Sequence, residues 1–443
     1  MERKLSQIFR KPFASRFGLI LIKSITVGLL TGFIVSVFRS IIDHTLQFLY
    51  LIYPQMAHNP ILIVPYALIM IGITFLLGKV MGKYMDNLTG SGVPQVEAAF
   101  LNENKMPWWA ILWRKFVGGL LAICPGLMLG REGPCIEMGA MIGKGMGETL
   151  NLNNDERQML QESGVAAGLT AAFSAPLAGT FFLVEEITFN FKPKRVVSAL
   201  AASFASDLVT VLFFGLKPCL YLPLKSSFPL KNYWILPIMG IFLGLLAFLY
   251  QYCLLSLKPL FAKITILPSK YHSIIPFLLI IPIGLWNAKM LGGSHFLIMN
   301  LFGSDFNAKL SSGALTFVLI PLTLFAIRFI LSMASYGASV PGGIFMPILV
   351  LGAMLGVAFA EVFIHMNVLD PSLFTNIIVI SMAAYFGAIE KAPFTAIILL
   401  TEMVGTVEQI LPIVITTFIS YFVLDWIGGR PIYAALRLQS YPK

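Results

Sequence analysis

Residues 129–139 read LGREGPCIEMG, a stretch that places charged side chains among glycines in the middle of an apolar chain. Arg131 and Glu132 lie between Gly130 and the pair Gly133-Pro134. Of the 443 residues, 57% are hydrophobic and 12% are charged, whereas roughly a quarter of the residues of a soluble domain are charged. The mean hydropathy of +0.83 therefore predicts an all-α polytopic membrane protein. In such a protein a charged residue inside a span is energetically costly and therefore indicates a functional role.

Long apolar runs recur along the whole chain and alternate with shorter runs that glycine and proline interrupt. A membrane span takes about 20 apolar residues. Runs near that length cover residues 17–37, 61–80, 235–255 and 315–333, and shorter ones cover 208–216, 274–283 and 410–423. Lipid tolerates a broken helix only where the freed backbone groups face protein or a cavity. We therefore expect the interrupted helices to surround a polar site.

The basic residues are concentrated beside the apolar runs. The formal net charge is +10, and five Lys or Arg precede the first apolar run, within residues 1–18. The positive-inside rule then places the N-terminus in the cytoplasm. We expect a multi-pass protein of the cell membrane, of the bacterial inner membrane in particular, with both termini cytoplasmic.

The composition argues against several kinds of partner. Basic residues that border spans do not form the single soluble face that nucleic-acid binding requires. The four cysteines show no C-x-x-C spacing, and the five histidines show no H-E-x-x-H spacing. We therefore expect no nucleic acid, no metal site and no cofactor. The remaining candidate partners are small ions and the lipid bilayer.

Two segments of the chain repeat later in the same order. Residues 130–143 and 343–356 share their first Gly, a Pro and a Gly-Ala-Met-x-Gly ending at an offset of 213. Residues 166–186 and 383–403 share Ala-Ala, Ala-Pro and a Glu at an offset of 217. These matches predict a single transmembrane domain of two related halves, residues 1–223 and 224–443. Repeated halves with interrupted helices are typical of transporters whose site lies between the repeats.

Three glycine-rich motifs each precede a run that can form a helix, at residues 90–94, 130–134 and 341–345. The first turn of a helix has unpaired N–H groups and about half a positive charge. Several such helix starts that converge would bind an anion without a full cationic charge, and the anion could still be released. The alternative is that the glycines only permit tight helix packing.

These motifs carry a resemblance to a known family. GSGVP at 90–94, GREGP at 130–134, GGIFMP at 342–347 and GGRPIY at 428–433 resemble, in order, the signature segments of the CLC family of chloride channels and chloride/proton antiporters. The resemblance extends from about residue 17 to residue 438. It implies a homodimer in which each subunit has its own anion pathway, built from two inverted-topology repeats of tilted and discontinuous helices. The cytoplasmic CBS regulatory domains of many eukaryotic relatives are not expected.

The resemblance also implies roles for single residues. The Ser91 and Tyr433 hydroxyls, with the backbone amides of Ile344 and Phe345, would bind chloride. Glu132 would be the external gating glutamate. The residues expected to line or support the pathway are Gly90, Gly92, Pro94, Lys115, Gly130, Arg131, Gly133, Pro134 and Gly343. Of these, Arg131 would concentrate anions at the outer mouth.

Two glutamates have alternative interpretations. Glu186 falls at the internal proton-transfer glutamate that distinguishes most antiporters of this family from channels. The alternative is that Glu185 and Glu186 end a helix in interfacial water. Glu137 departs from the family, which usually has a neutral residue there, and it would either perturb Glu132 electrostatically or face water.

The expected function is secondary active exchange of chloride for protons. A deprotonated Glu132 carboxylate is an anion and can occupy the anion site, whereas protonation removes the charge that holds it there. Chloride then takes the vacated site, so one group couples both ions.

Other functions remain as alternatives. A passive voltage- or pH-gated chloride channel is the nearest, and nitrate is an alternative anion. Fluoride exchange is disfavoured because Ser91 and Tyr433 follow the chloride-type pattern. An intramembrane glutamate-dependent hydrolase could use Glu185 and Glu186, but no motif supplies the partner histidines or aspartates it would need. We therefore expect a protein that is not an enzyme.

Overall fold

A computed structural model describes residues 16–222, 224, 227–293, 297–299 and 316–441. Within these residues the regular structure is helical apart from two isolated backbone bridges. The predicted boundary between the halves adjoins residue 223, which is outside the described residues. Most of the basic N-terminal stretch used to predict topology, residues 1–15, lies outside them as well.

Eight helical segments of the described residues are long and apolar enough to cross a membrane. They are Arg16–His58, Pro60–Leu88, Pro193–Phe214, Ile235–Ala262, Ser269–Met290, Phe317–Gly337, Phe345–His365 and Pro371–Glu390. The other α-helices are Val93–Phe100, Trp108–Ile123, Glu132–Thr149, Asn154–Phe173, Pro176–Phe182, Pro393–Val404, Ile410–Trp426 and Ile432–Ser440. The predicted all-α polytopic architecture is confirmed.

The first long helix shows how lipid-facing spans attach to the rest of the molecule. Gly28 and Gly32 lie one turn apart and face the helix Pro193–Phe214. A Cβ atom at Gly32 would lie 2.7 Å from the backbone oxygen of Ser206, so only glycine permits this approach. On the opposite face Leu30 is 48% exposed. Small residues toward protein and large apolar residues toward lipid are the usual division in a membrane bundle.

The helices nearest the centre are buried on all sides. Glu132–Thr149 packs against Asn154–Phe173, where Gly139 lies against the backbone of Gly164 and Gly143 lies against that of Leu160. For these glycines the tight-packing interpretation is correct. Because each contact involves backbone atoms, the two helices act as one rigid unit. This unit holds the start of the helix Glu132–Thr149 in place.

The two glycines matched at the offset of 213 contact each other directly. Gly130 donates its N–H to the carbonyl of Gly343 at 2.7 Å, and Gly343 donates to the carbonyl of Gly130 at 2.7 Å. In a two-fold arrangement residue i contacts residue j and j contacts i in return. This reciprocal contact supports an internal two-fold relationship between the predicted halves.

Candidate anion site and its carboxylates

The three glycine motifs meet at one place. Besides the bonds between Gly130 and Gly343, Gly90 donates to the carbonyl of Val340 at 2.9 Å and accepts from Gly342 at 3.0 Å. These short bridges join segments that are more than two hundred residues apart in sequence. The fold thus brings together all three predicted helix starts.

A helix begins within each motif, at Val93, at Glu132 and at Phe345. Their first N–H groups are unpaired within the helix and carry partial positive charge. Pro94 and Pro134 lie in first turns, where proline removes no helical hydrogen bond.

Two glycines allow these helix starts to come so close together. Gly92 has a φ of +89°, in the left-handed region that favours glycine. A Cβ atom at Gly133 would lie 2.6 Å from the Ser91 carbonyl oxygen, so the Ser91 loop packs directly on the next helix start.

The carboxylate of Glu132 lies at the start of another helix. A Cβ atom at Gly130 would lie 2.3 Å from Glu132 Oε2 and 3.1 Å from the backbone nitrogen of Met346, so the carboxylate is close to the first turn of Phe345–His365. Glu132 is 1% exposed. A helix N-terminus is a favourable place for an anion, and here a carboxylate of the chain itself occupies it.

A cavity leads to Glu132 at the predicted outer mouth of the pathway, and Arg131 is one of its lining residues together with Asp43, Phe173 and Cys219. The Arg131 guanidinium lies 2.5 Å from an oxygen of Asp43. Arg131 therefore reaches the predicted mouth of the pathway, but Asp43 neutralises part of its charge. The sequence analysis missed Asp43, which lies within an apolar helix and could have been noticed for that reason.

Ser91 and Phe345 lie at the same junction. Ser91 Oγ accepts the N–H of Val93 at 3.3 Å, and the Tyr336 hydroxyl oxygen lies beside the preceding residue, 3.1 Å from where a Cβ atom at Gly90 would be. Phe345 is fully buried, with its ring centre 4.3 Å from that of Phe386. Ile344 immediately precedes this helix. No sequence signal indicated Tyr336.

Tyr433 points to a carboxylate that the sequence analysis missed. Its hydroxyl donates to Oε1 of Glu390 at 3.0 Å, and both residues are buried. The Tyr433 ring packs edge-on against Phe182, with 6.3 Å between ring centres. Glu390 stands in the otherwise apolar run AAYFGAIE, and a carboxylate within a span is a signal of function.

Glu185 and Glu186 lie in a π-helical turn, Leu183–Thr188, which directs them to different surroundings. Such turns are frequent at functional sites. Glu186 is 2% exposed, and neither of its oxygens has a hydrogen-bond partner. Glu185 accepts the N–H groups of Phe394 and Thr395. The alternative that the pair faces interfacial water is therefore wrong for Glu186, which is buried, whereas Glu185 is partly exposed.

A cavity lies beside this turn. Its lining includes Val184 and Ile187, on either side of the glutamate pair in sequence, and the charged residues Glu97, Glu162 and Arg195. It is separate from a second cavity beneath the Ser91 loop, whose lining includes Gly90, Pro94, Gln95 and Tyr336. Sequence neighbours of Glu186 thus line the first cavity, and sequence neighbours of Ser91 line the second.

Lys115 and Glu137 form a buried ion pair next to the Ser91 loop. Lys115 Nζ lies 2.6 Å from Glu137 Oε2, and both side chains are 0% exposed. The ammonium also donates to the carbonyls of Leu88 at 2.9 Å and Gly90 at 3.0 Å. The alternative in which Glu137 faces water is wrong. The pair supports the backbone that carries Ser91.

Comparisons with known proteins cover nearly the whole chain. The family model described as voltage gated chloride channel matches residues 73–425. The H(+)/Cl(-) exchange transporter ClcA of Yersinia pseudotuberculosis serotype IB (strain PB1/+) is 29% identical over 437 residues, which cover 96% of this chain and 88% of the relative. ClcA of Salmonella paratyphi B (strain ATCC BAA-1250 / SPB7) is 29% identical over 456 residues, with 100% and 92% covered. The crystal structure of a slow cyanobacterial Cl-/H+ antiporter has a TM-score of 0.87 and 28% identity, with 96% of this chain and 98% of that chain covered.

Proposed function

Because this chain belongs to the voltage-gated chloride channel family, we propose that it is a chloride/proton antiporter, which moves chloride across a membrane in exchange for protons. The predicted CLC-type fold is confirmed by the similarity to the cyanobacterial antiporter. The relatives at 29% identity are named as exchangers of the two ions. The buried, unpaired Glu186 favours exchange over passive conduction.

The position of Glu132 is the observation that carries this proposal. Its carboxylate lies beside the backbone N–H of Met346 at a helix start, where a chloride ion would seek the same donor. In its charged form Glu132 blocks the path. When it takes up a proton it loses the attraction to the helix start, and chloride can bind to the freed N–H group. Uptake of a proton and entry of an anion are then two parts of one event.

Chloride passes a central site between the outer cavity and the cavity beneath the Ser91 loop. The hydroxyls of Ser91 and Tyr433 and the amides at Ile344 and Phe345 bind it there. These are dipoles and not full charges, so they hold the anion without trapping it. The Lys115 ammonium is paired with Glu137, and it therefore positions the loop without competing for chloride.

Protons enter by a different route on the cytoplasmic side. Glu186 lies next to the cavity that Glu97, Glu162 and Arg195 line, and water in that cavity can deliver a proton to it. Glu186 then passes the proton toward Glu132. The presence of two distinct cavities, one beside Glu186 and one beside Ser91, supports exchange, because a proton need not cross the anion entrance.

The remaining features follow from the family. We propose a homodimer with one pathway per subunit in a cell membrane, the bacterial inner membrane, and with both termini in the cytoplasm. Each subunit consists of the inverted halves 1–223 and 224–443, which the reciprocal contact of Gly130 and Gly343 supports. The protein is not an enzyme: Glu185, one of the two acids a hydrolase would need, is bound to backbone N–H groups.

The test is chloride-driven proton movement in liposomes that contain the purified protein. We expect wild type to pump protons uphill, and Glu132→Ala and Glu186→Ala to lose pumping while chloride flux continues. Glu408→Ala changes an exposed glutamate and is the control that should pump normally. Chloride flux without proton movement in wild type would make the protein a channel, and absence of both would overturn the proposal.

A further inference from the structure

Glu390 is a buried carboxylate that the mechanism above does not use. It is the last residue of the helix Phe374–Glu390 and is 0% exposed. Burying a charged group without a partner is costly. Its neighbour Lys391 directs its ammonium to Asp425 instead. Among the ion pairs of the described residues, none involves Glu390.

The hydrogen bond to Glu390 uses the hydroxyl assigned to chloride. Tyr433 donates to Glu390 Oε1 at 3.0 Å, and a phenol has one hydrogen to donate. While Glu390 accepts this hydrogen, Tyr433 cannot donate it to an anion. The second oxygen, Oε2, has no hydrogen-bond partner in the protein. That oxygen is free to take up a proton.

Glu390 lies within electrostatic range of both carboxylates assigned to proton transfer. Its charge acts on Glu186, and the charge of Glu132 acts on it. The titratable groups that interact with it are Glu132, Glu185, Glu186, Tyr250 and Tyr433. All of these groups are neutral or negative, so an ionised Glu390 adds negative charge where chloride must bind.

We propose that Glu390 is a third proton-binding residue, placed between Glu186 and Glu132, and that its protonation state decides whether Tyr433 can bind chloride. This inference rests on the proposed exchange function. Ionised Glu390 accepts the Tyr433 hydrogen and repels the anion. When a proton leaves the Glu186 carboxyl and binds Glu390, directly or through water, one O–H bond breaks and one forms. The neutral carboxyl group then rotates so that its protonated Oε2 donates to the Tyr433 oxygen in place of Oε1, and the phenolic hydrogen turns to chloride.

The proposal predicts that proton binding at Glu390 and chloride binding at Tyr433 are coupled, and that this coupling does not depend on Glu132. The test measures chloride binding to purified Glu132→Gln protein by calorimetry, from about pH 5 to about pH 8, a range in which buried carboxyl groups can titrate. We expect affinity to fall by about tenfold as pH rises, because a nearby negative charge appears. The double variant Glu132→Gln/Glu390→Gln should bind chloride tightly at every pH.

Three further variants in the Glu132→Gln background identify which group causes the pH dependence of chloride affinity. Adding Glu186→Gln should leave the pH dependence in place, since Glu186 does not contact Tyr433 by any hydrogen bond. Adding Glu361→Gln changes another membrane carboxylate, which pairs with His365, and should also leave it in place. Adding Tyr433→Phe removes the hydroxyl and should shrink the pH dependence to its purely electrostatic part.

The outcomes separate this inference from the proposed function. Glu132→Gln protein that binds chloride with the same affinity at every pH would overturn the role of Glu390 and leave the exchanger intact. Glu132→Gln protein that binds no chloride at any pH would overturn the anion site itself. Glu390→Gln alone should pump fewer protons per chloride in liposomes, and unchanged pumping would contradict the proposal. Its thermal unfolding midpoint, compared with wild type, checks that the variant is folded.

Discussion

Glu185 and Glu402 each cap the N-terminus of a helix in the other half of the chain. The Glu185 carboxylate accepts the N–H of Thr395 at 2.7 Å, in the first turn of the helix that carries Glu402. The Glu402 carboxylate accepts the N–H of Ala178 at 2.8 Å, in the helix that leads into the turn carrying Glu185. These glutamates match at the offset of 217, so this mutual capping is a second reciprocal contact between equivalent positions.

Removal of either cap should destabilise the junction of the halves. Glu185→Ala or Glu402→Ala leaves helix N–H groups without an acceptor, and a hydrogen bond to a charged group contributes roughly 1.5–3 kcal/mol. We expect each variant to unfold at a lower temperature in detergent than wild type. Glu408→Ala, at an exposed position, should unfold like wild type. Equal midpoints for all four proteins would show that the caps contribute nothing.

The buried pair of Lys115 and Glu137 should behave differently when one or both partners change. Lys115→Met leaves an uncompensated buried carboxylate, which costs about 3–5 kcal/mol. Replacing both residues by methionine removes both charges, so the double variant should recover part of the lost stability. Thermal unfolding of the two single variants and the double variant checks this. Additive losses would mean that the two side chains do not interact.

The contact of Gly133 with the Ser91 loop should control chloride affinity. Gly133→Ala places a Cβ atom 2.6 Å from the Ser91 carbonyl oxygen, and such overpacking costs about 1–3 kcal/mol. We expect the loop to move and chloride to bind roughly tenfold more weakly, as a shift of about 1.4 kcal/mol implies. Gly72→Ala, with no atom within 4 Å of the new Cβ, is the matched control. Calorimetric titration with chloride would contradict the prediction if both variants bound like wild type.

The pair of Arg131 and Asp43 should set how strongly the outer mouth attracts anions. Asp43→Asn removes the negative partner, and the freed Arg131 charge raises the local anion concentration. We expect faster chloride uptake at low ionic strength and a smaller gain as salt screens the charge. Asp370→Asn, in an exposed turn, should not change uptake. A gain that is equal at low and high salt would exclude an electrostatic cause.

Features that depend on local sequence were predictable. The apolar runs identified lipid as the solvent, and the glycine motifs identified the positions where helices begin. Glu132 follows one motif directly, so its location at a helix start could be inferred from neighbouring residues. The matched segments at two offsets also anticipated which glycines and glutamates would be equivalent.

Features that depend on distant partners were not predictable. The sequence shows a glutamate at 137 and a glutamate at 390, but it does not show that Lys115 neutralises the first or that Tyr433, 43 residues away, binds the second. Two alternatives were wrong for this reason, because whether Glu137 or Glu186 faces water depends on which helices pack around it.

By itself the sequence determined that the chain lies in lipid, where its helices begin and which family it resembles. Composition, periodicity and ordered motifs are local properties, so they can be read without knowledge of the packing. The tertiary structure alone decided the environment of each carboxylate. A buried carboxylate acts through what lies within a few ångströms of its oxygens, and in this fold those neighbours come from helices far apart in the chain. One type of side chain therefore serves as a helix cap at Glu185 and an ion-pair partner at Glu137, and in the proposed mechanism it serves as an anion mimic at Glu132.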